Sequence, residues 1–230
     1  MKDTPHTVSD VMTQTVVAVS RGAAFKEIAK TLAQWHVSAV PVLEGEGRVI
    51  GVVSEADLLS KQEYKDRDPS RVEQLRHLDE LVKAGAATAG ELMSTPAVTV
   101  HGSATLAEAA RVMAHKGVKQ LPVVDEQGML AGIVSRGDLL KVYLRDDEDI
   151  AREVREEVVA HFFRNTEPTV GISVVEGVVV LSGRLPDAAM VPLVARLVRA
   201  VEGVVNVDLR LDTPPARFRI PEPPVVGPQF

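Results

Sequence analysis

The chain has 230 residues, of which 45% are apolar but only 3% aromatic, so its cores must be built from Val, Leu, Ile and Ala, in one or two domains unless small modules repeat. The absence of cysteine excludes disulfides, thiolate metal sites and cysteine nucleophiles. A net charge of −6 argues against nucleic acid as a partner, since phosphate contact needs clustered Lys and Arg.

From the N-terminus, residues 1–12 lack the apolar core of a signal peptide, and no run approaches the roughly 18 apolar residues of a membrane span. The expectation is a soluble, cytoplasmic protein. Shifted by 81 residues, the chain matches itself without gaps: 18 of the 53 positions in residues 7–59 are identical in residues 88–140. One offset held over that span marks a duplicated unit.

Each unit reads β-α-β-β-α. In the first, Phe25, Ile28, Leu32 and Trp35 recur at helical spacing. Val37–Leu43 and Val49–Val53 read as a hairpin around the turn at residues 44–47, and Ser54 with Asp57 three residues on opens a helix through Leu58 and Leu59. The second unit repeats this with Leu106, Ala109 and Met113 on its helix, strands at 118–124 and 130–134, and Ser135 with Asp138. Pro41 and Pro122 fall inside strand patterns, where a missing N–H marks an edge or an interruption. Gly51 and Gly132 suit close backbone packing, and His36 stands where the second unit has Gly117, so a different local turn is expected there.

Between the units, residues 61–68 are charged, and Val72, Leu75, Leu78 and Val82 make residues 70–83 an amphipathic helix, either an edge-packing element or a ligand-responsive hinge. After Arg145, an acidic run (Asp146, Asp147, Glu148, Asp149) suits a helix N-terminus, and Ile150, Val154, Val158 and Phe162 follow at spacing four. Strands are expected at 169–175 and 178–182 around Glu176-Gly177, then a helix with Pro186 near its start and Val191, Val194, Val198 and Val201 on one stripe. Gly203 is expected to cap that helix in the αL conformation, before a last strand through Val205, Val207, Leu209 and Leu211. The Pro-rich tail, residues 213–230, is expected to be disordered or an extended lid.

The pattern Pro-Val-[Leu/Val] followed by Gly-[Val/Ile]-Val-Ser-x-x-Asp-Leu-Leu, present twice, resembles a tandem pair of cystathionine-β-synthase (CBS) domains. The α-β-β-α-β order behind it, with Val178–Gly183 and Val201–Val207, resembles a BON domain. The expected fold class is therefore α/β (α+β), divided as CBS domain 1 (7–60), helical linker (61–87), CBS domain 2 (88–145), BON domain (148–212) and tail (213–230).

The CBS resemblance implies a non-catalytic regulatory protein that binds an adenosine-containing ligand, of the AMP, ADP, ATP or S-adenosylmethionine type, in clefts between the units. It also implies a homodimer. It places Asp57 and Asp138 on ribose, Ser54 and Ser135 near phosphate, and the backbone at Ala39, Val40 and Pro41, and at Gln120, Leu121 and Pro122, near the base. The segments opening the units, Thr15 to Val17 and Pro96, Ala97 and Val98, are the other expected wall. For each Ser-x-x-Asp the plainer role, a helix cap, holds in either case. Lys119 and Arg136 near the second site, against Ser38 and Glu55 near the first, lead to the expectation that only the second site suits phosphate.

The six histidines have no ligand spacing, so no metal is expected, and no nucleophile elbow, phosphate loop or His-Glu-x-x-His suggests an enzyme. No cofactor is required beyond the regulatory nucleotide. The competing function is an envelope or scaffold protein attached through its BON domain. Residues 146–212 carry 7 basic and 13 acidic residues, which suits a protein partner better than anionic lipid.

Overall fold

In the computed structural model of the chain, which describes residues 7–63, 85–160, 170–184 and 187–212, each repeat builds a three-stranded sheet from its apolar runs. In the first, β1 (Val19–Ser20) lies parallel to β2 (Ala39–Glu44), which pairs antiparallel with β3 (Arg48–Ser54). In the second, β4 (Val100–His101), β5 (Gln120–Val124) and β6 (Leu130–Ser135) repeat the order. The expected linker helix at 70–83, Phe162, Pro186 and the tail lie outside the described residues.

The repeat helices follow their apolar stripes with one exception. Ile28 and Leu32 of α2 (Phe25–Trp35) are buried, but Trp35 is 56% exposed, so the stripe stops a turn earlier than its spacing predicts. The second helix, Leu106–Lys116 (α5 below), buries Leu106, Ala109 and Met113. Its start is a capping box: Thr105 Oγ1 accepts from Glu108 N–H at 3.2 Å, and the Glu108 carboxylate accepts from Thr105 N–H at 2.9 Å. That bond, together with the Thr105 hydroxyl, holds the Glu108 carboxyl below its usual range.

At the end of α2 the expected difference between His36 and Gly117 is not found. His36 takes φ 52° and ψ 41°, the same left-handed cap as Gly117 at φ 68° and ψ 19°. The duplicated architecture imposes the turn and His36 bears the strain.

Each repeat also opens with a short capped helix that spacing alone did not announce: α1 (Val8–Val11) behind Thr7 and α4 (Ala89–Leu92) behind Thr88, with Asp10 and Glu91 closing the capping boxes. α3 (Glu55–Glu63) lies between them in the chain. These opening segments are exchanged. Val8 and Ser9 donate to Ala104 O and Gly102 O of the second repeat, and Ala89 and Gly90 donate to Ala23 O and Arg21 O of the first. Ser94 then trades two backbone hydrogen bonds with Val52 of β3 (2.9 and 3.2 Å), and Thr13 trades two with Ile133 of β6 (both 2.9 Å). The core around Ile28, Val40, Val42 and Val53 is completed by Ala86, Ala89 and Leu92, so the first repeat closes with residues that follow it by some thirty positions.

The exchange resolves the prolines. Neither breaks its strand: Pro41 stands opposite Val52 and Pro122 opposite Ile133. Val52 and Ile133 spend their N–H and C=O groups on Ser94 and Thr13, so no ladder bond is asked of either proline. On the far side β1 and β4 reach only as far as Val42 and Val123, which leaves both prolines on a local edge. The glycines beside them are filled from the other repeat. A Cβ on Gly51 would lie 2.8 Å from Met93 Cγ and 3.0 Å from its Cβ; one on Gly132 would lie 3.1 Å from Thr13 O.

After α6 (Arg136–Leu140) a second unit begins at Lys141 with a single 3₁₀ turn to Leu144. α7 (Asp147–Glu153) follows and runs on as a π-helical turn over Val154–Val159, burying Ile150, Val154 and Val158. β7 (Val170–Val175) and β8 (Val178–Arg184) form a hairpin whose two turn residues, Glu176 and Gly177, both have positive φ, a type I′ arrangement. The acidic run has a specific use here, because both Asp147 carboxylate oxygens accept from that turn, from Glu176 N–H and Gly177 N–H at 2.8 Å each. α8 (Val191–Ala200), with proline in its first turn, packs Val194 and Val198 on the sheet, and β9 (Asn206–Asp212) lies parallel to β8. The expected cap at Gly203 is corrected: the helix ends on Val201 in extended conformation, and Gly203, at φ 89°, shapes the turn beyond it. A Cβ there would lie 2.9 Å from Val142 O and Ile150 Cδ1.

Two stability changes are expected. Replacing His36 with Gly removes an αL cost of about 1–2 kcal/mol, partly offset by glycine's unfolded-state entropy, so Tm should rise by about 1–3 °C in a thermal melt. Gly51→Ala should lower urea-unfolding stability by about 1–3 kcal/mol, because the Met93 stem cannot retreat without opening the first core.

Candidate functional site

The two Ser-x-x-Asp elements form the same local structure. At the start of α3, the Asp57 Oδ2 accepts from Ser54 N–H at 2.8 Å and from Ser54 Oγ–H at 2.7 Å. At the start of α6, the Asp138 Oδ2 accepts from Ser135 N–H at 2.9 Å and Ser135 Oγ–H at 2.6 Å, while Ser135 Oγ takes the Asp138 N–H at 3.2 Å. Each carboxylate is thus fixed in orientation by the strand end it caps.

A cavity of about 280 Å³ opens beside the first cap. The first repeat lines it with Ser38, Ala39, Val52, Ser54, Glu55, Ala56 and Asp57. The remaining wall belongs to the second repeat: Ser94, Pro96, Ala97 and Val98 from its exchanged opening segment, and Gly117, Val118, Lys119 and Gln120 from the end of α5 and the start of β5. This volume lies just below the range of about 300–1,000 Å³ for pockets that enclose a small organic ligand.

Of the residues expected to bind a ligand, Asp57, Ser54, Ala39, Ala97, Val98, Lys119 and Gln120 meet in this one cavity. Val40 and Leu121 are fully buried core side chains, and Pro41 and Pro122 lie beyond them in the strands, so these four do not line it. Asp138, Ser135, Arg136, Thr15 and Val17 lie elsewhere in the same unit. Thr13, two residues before Thr15, pairs with Ile133, two residues before Ser135; Ser94, Pro96, Val52 and Ser54 stand in the same relation. The opening segment of each repeat therefore flanks the cap of the other.

That arrangement corrects the expected division of cations. Lys119 lines the Asp57 cavity together with the Ser38 and Glu55 that seemed to leave the first site without positive charge. The Arg136 guanidinium turns to the backbone of its own repeat, donating from Nη2 to Val118 O at 3.1 Å. No signal in the sequence could have announced this, because it depends on which repeat each segment packs against. Among the described residues no group of three His, Asp or Glu side chains is placed to hold a metal ion, and no helix is long and apolar enough to cross a membrane.

Comparison with known proteins agrees with the repeat and with the module behind it. The CBS domain pattern matches residues 8–64 and 89–145, and the BON domain pattern matches residues 146–214. The Bacillus subtilis CBS domain-containing protein YhcV is 32% identical over 132 residues, 57% of this chain and 81% of that protein. The Methanopyrus kandleri protein MK0525 is 30% identical over 135 residues, 59% of this chain and 61% of its own length, so the match covers only about three-fifths of that relative. Among solved structures, the crystal structure of CBSX2, an Arabidopsis thaliana protein, in complex with AMP superposes with a TM-score of 0.54 at 30% identity, over 60% of this chain and 97% of that one.

Both caps should contribute alike to folding. Asp57→Ala and Asp138→Ala are each expected to cost about 1–2 kcal/mol in urea unfolding, since each strands a backbone N–H and a hydroxyl.

Proposed function

Because the chain belongs to the CBS-domain family, as a tandem CBS pair followed by a BON domain, we propose that it is a non-catalytic regulatory protein that takes an adenosine-containing ligand in the Asp57 cavity. The observation that carries this reading is the convergence of Asp57, Ser54 and Lys119 on one cavity. The Asp57 carboxylate suits a pair of ribose hydroxyls, the positive end of the α3 dipole suits a phosphate although the Glu55 N–H is spent on Ser38 O, and Lys119 adds a charge beside them. The CBSX2 structure, solved with AMP, supports the ligand class.

Charge narrows the choice within that class. Lys119 shares the cavity with two carboxylates, Glu55 and Asp57, so a monophosphate is better balanced there than a triphosphate. S-adenosylmethionine and NAD remain in the test panel as ligands of different charge. A ligand that binds one arrangement of the two repeats more tightly shifts the population toward it, and that shift is what a partner reads.

The partners follow from exposed apolar groups. Leu59 and Leu140, at matched positions in the two repeats, are 63% and 60% exposed, which supports a homodimer formed through the helices that carry them. In the second unit Val175 and Val205 stand exposed at one end of the sheet, and the acidity of residues 146–212 favours protein over anionic lipid as its partner. The cytoplasm is the compartment in which such a nucleotide sensor operates.

A thermal-shift series with AMP, ADP, ATP, S-adenosylmethionine and NAD should give its largest rise with AMP. In titration calorimetry Asp57→Ala should weaken AMP about tenfold to a hundredfold and Asp138→Ala less than about threefold. Equal loss in both variants would defeat the assignment to the Asp57 cavity. Leu59→Lys with Leu140→Lys should give a monomer by light scattering, and pelleting of the C-terminal unit with anionic vesicles would overturn the protein-contact reading.

A further inference from the structure

β9 (Asn206–Asp212) is a strand of seven residues at the edge of the second unit's sheet, paired with β8 on one side only. Among the described residues no backbone group bonds to its other side. The Val207 N–H is taken by the Asn206 side chain at 2.8 Å, so it points away from β8. By the alternation of a strand, Leu209 and Leu211 present their N–H and C=O groups along the same open edge. An edge of this length is a template for another strand unless charge blocks it. Here the charges alternate in sign: Asp208, Arg210 and Asp212 lie on the face away from the helices, with Val207, Leu209 and Leu211 on the face packed against them.

We propose that β9 is a self-association edge, pairing antiparallel with β9 of a second copy about a two-fold axis at Leu209. Three strands from each copy then form one continuous sheet. In the register that overlaps all seven residues, Asp208 lies opposite the second copy's Arg210, and Arg210 opposite its Asp208. On the other face Val207 meets Leu211, and Leu209 meets Leu209. Moving the axis one residue either way sets Asp208 on Asp208 or Arg210 on Arg210, and like charges directly opposite are destabilising. Parallel pairing in register makes both conflicts at once. The charges that block other registers therefore fit this one. Within one chain Arg210 Nη2 and Asp208 Oδ2 are 2.9 Å apart on exposed side chains, a weak contact readily exchanged for the same contact between copies. The inference rests on the protein-contact reading of the second unit and names its partner as a second copy. The rest of residues 146–212 is acidic and repels such a copy, whereas β9 offers it both signs.

The chain contains no cysteine, so introduced cysteines report the pairing directly. A single strand pair buries less than a stable interface needs, so it is trapped by cross-linking rather than weighed. Full-length Asp208→Cys and Arg210→Cys chains, both altered at solvent-open side chains, are oxidised with diamide separately and as an equimolar mixture. The disulfide-linked dimer should form about tenfold faster in the mixture, where two cysteines lie directly opposite; within either variant alone the thiols sit diagonally, beyond the roughly 7 Å Cα separation that a disulfide spans. Equal rates in all three samples would mean random collision and overturn the proposal. Faster linking within one variant than in the mixture would mean another register or parallel pairing, and overturns it too. Both results leave the protein-contact reading standing with a different partner; pelleting of the full-length parent chain with anionic vesicles defeats that reading itself.

Discussion

The exchange of the opening segments is the constraint on which the rest of the first unit depends. Each repeat has a two-residue first strand, too short to cover its own sheet, and a hairpin whose outer strand leaves an edge. An uncovered edge with apolar neighbours is unstable in isolation. The other repeat supplies what is missing: a capped turn of helix, a two-bond bridge to the edge strand, and a methionine laid on a glycine. Leu92 alone, fully buried, contributes about 1.5–3 kcal/mol to the core of the first repeat. The first repeat has no complete core without its copy.

The chemistry of the cavity follows from the same constraint. Since the segment that flanks the Asp57 cap belongs to the second repeat, the cavity is composed of both repeats. Asp57, fixed by the first repeat, lines the same cavity as Lys119 and Gln120 of the second. Local physics sets each half: the Ser54 hydroxyl and N–H orient Asp57, and the left-handed cap at Gly117 turns the chain so that Val118, Lys119 and Gln120 reach the cavity wall. Their meeting in one space is a consequence of packing.

Much of this was legible beforehand, and the reasons are local. Ser54 with Asp57 and Ser135 with Asp138 were readable as caps because such boxes close within four residues. Glu176-Gly177 was readable as a turn because few residue pairs accept two positive φ angles. Where reading failed, a longer-range force had overridden a local preference. His36 adopts the conformation of glycine because the helix before it and the strand after it fix the corner. Trp35 lies outside because the apolar stripe had already been satisfied by Ile28 and Leu32. Gly203 serves a turn two residues past the helix because Ile150 and the Val142 carbonyl leave no space for a side chain.

Length, composition and charge left a mildly acidic chain of uncertain domain count, and the 81-residue repeat by itself determined that the first part is a pair of matched α+β units with two polar caps. That much follows from periodicity and capping, which act over a few residues and are written in their order. Only the tertiary structure decided which repeat serves which cap. The two opening segments share the same local preferences, so nothing in either distinguishes packing on its own repeat from packing on the other. The choice is made by the edge strands they cover, and it carries Lys119 and Gln120 to Asp57 rather than to Asp138.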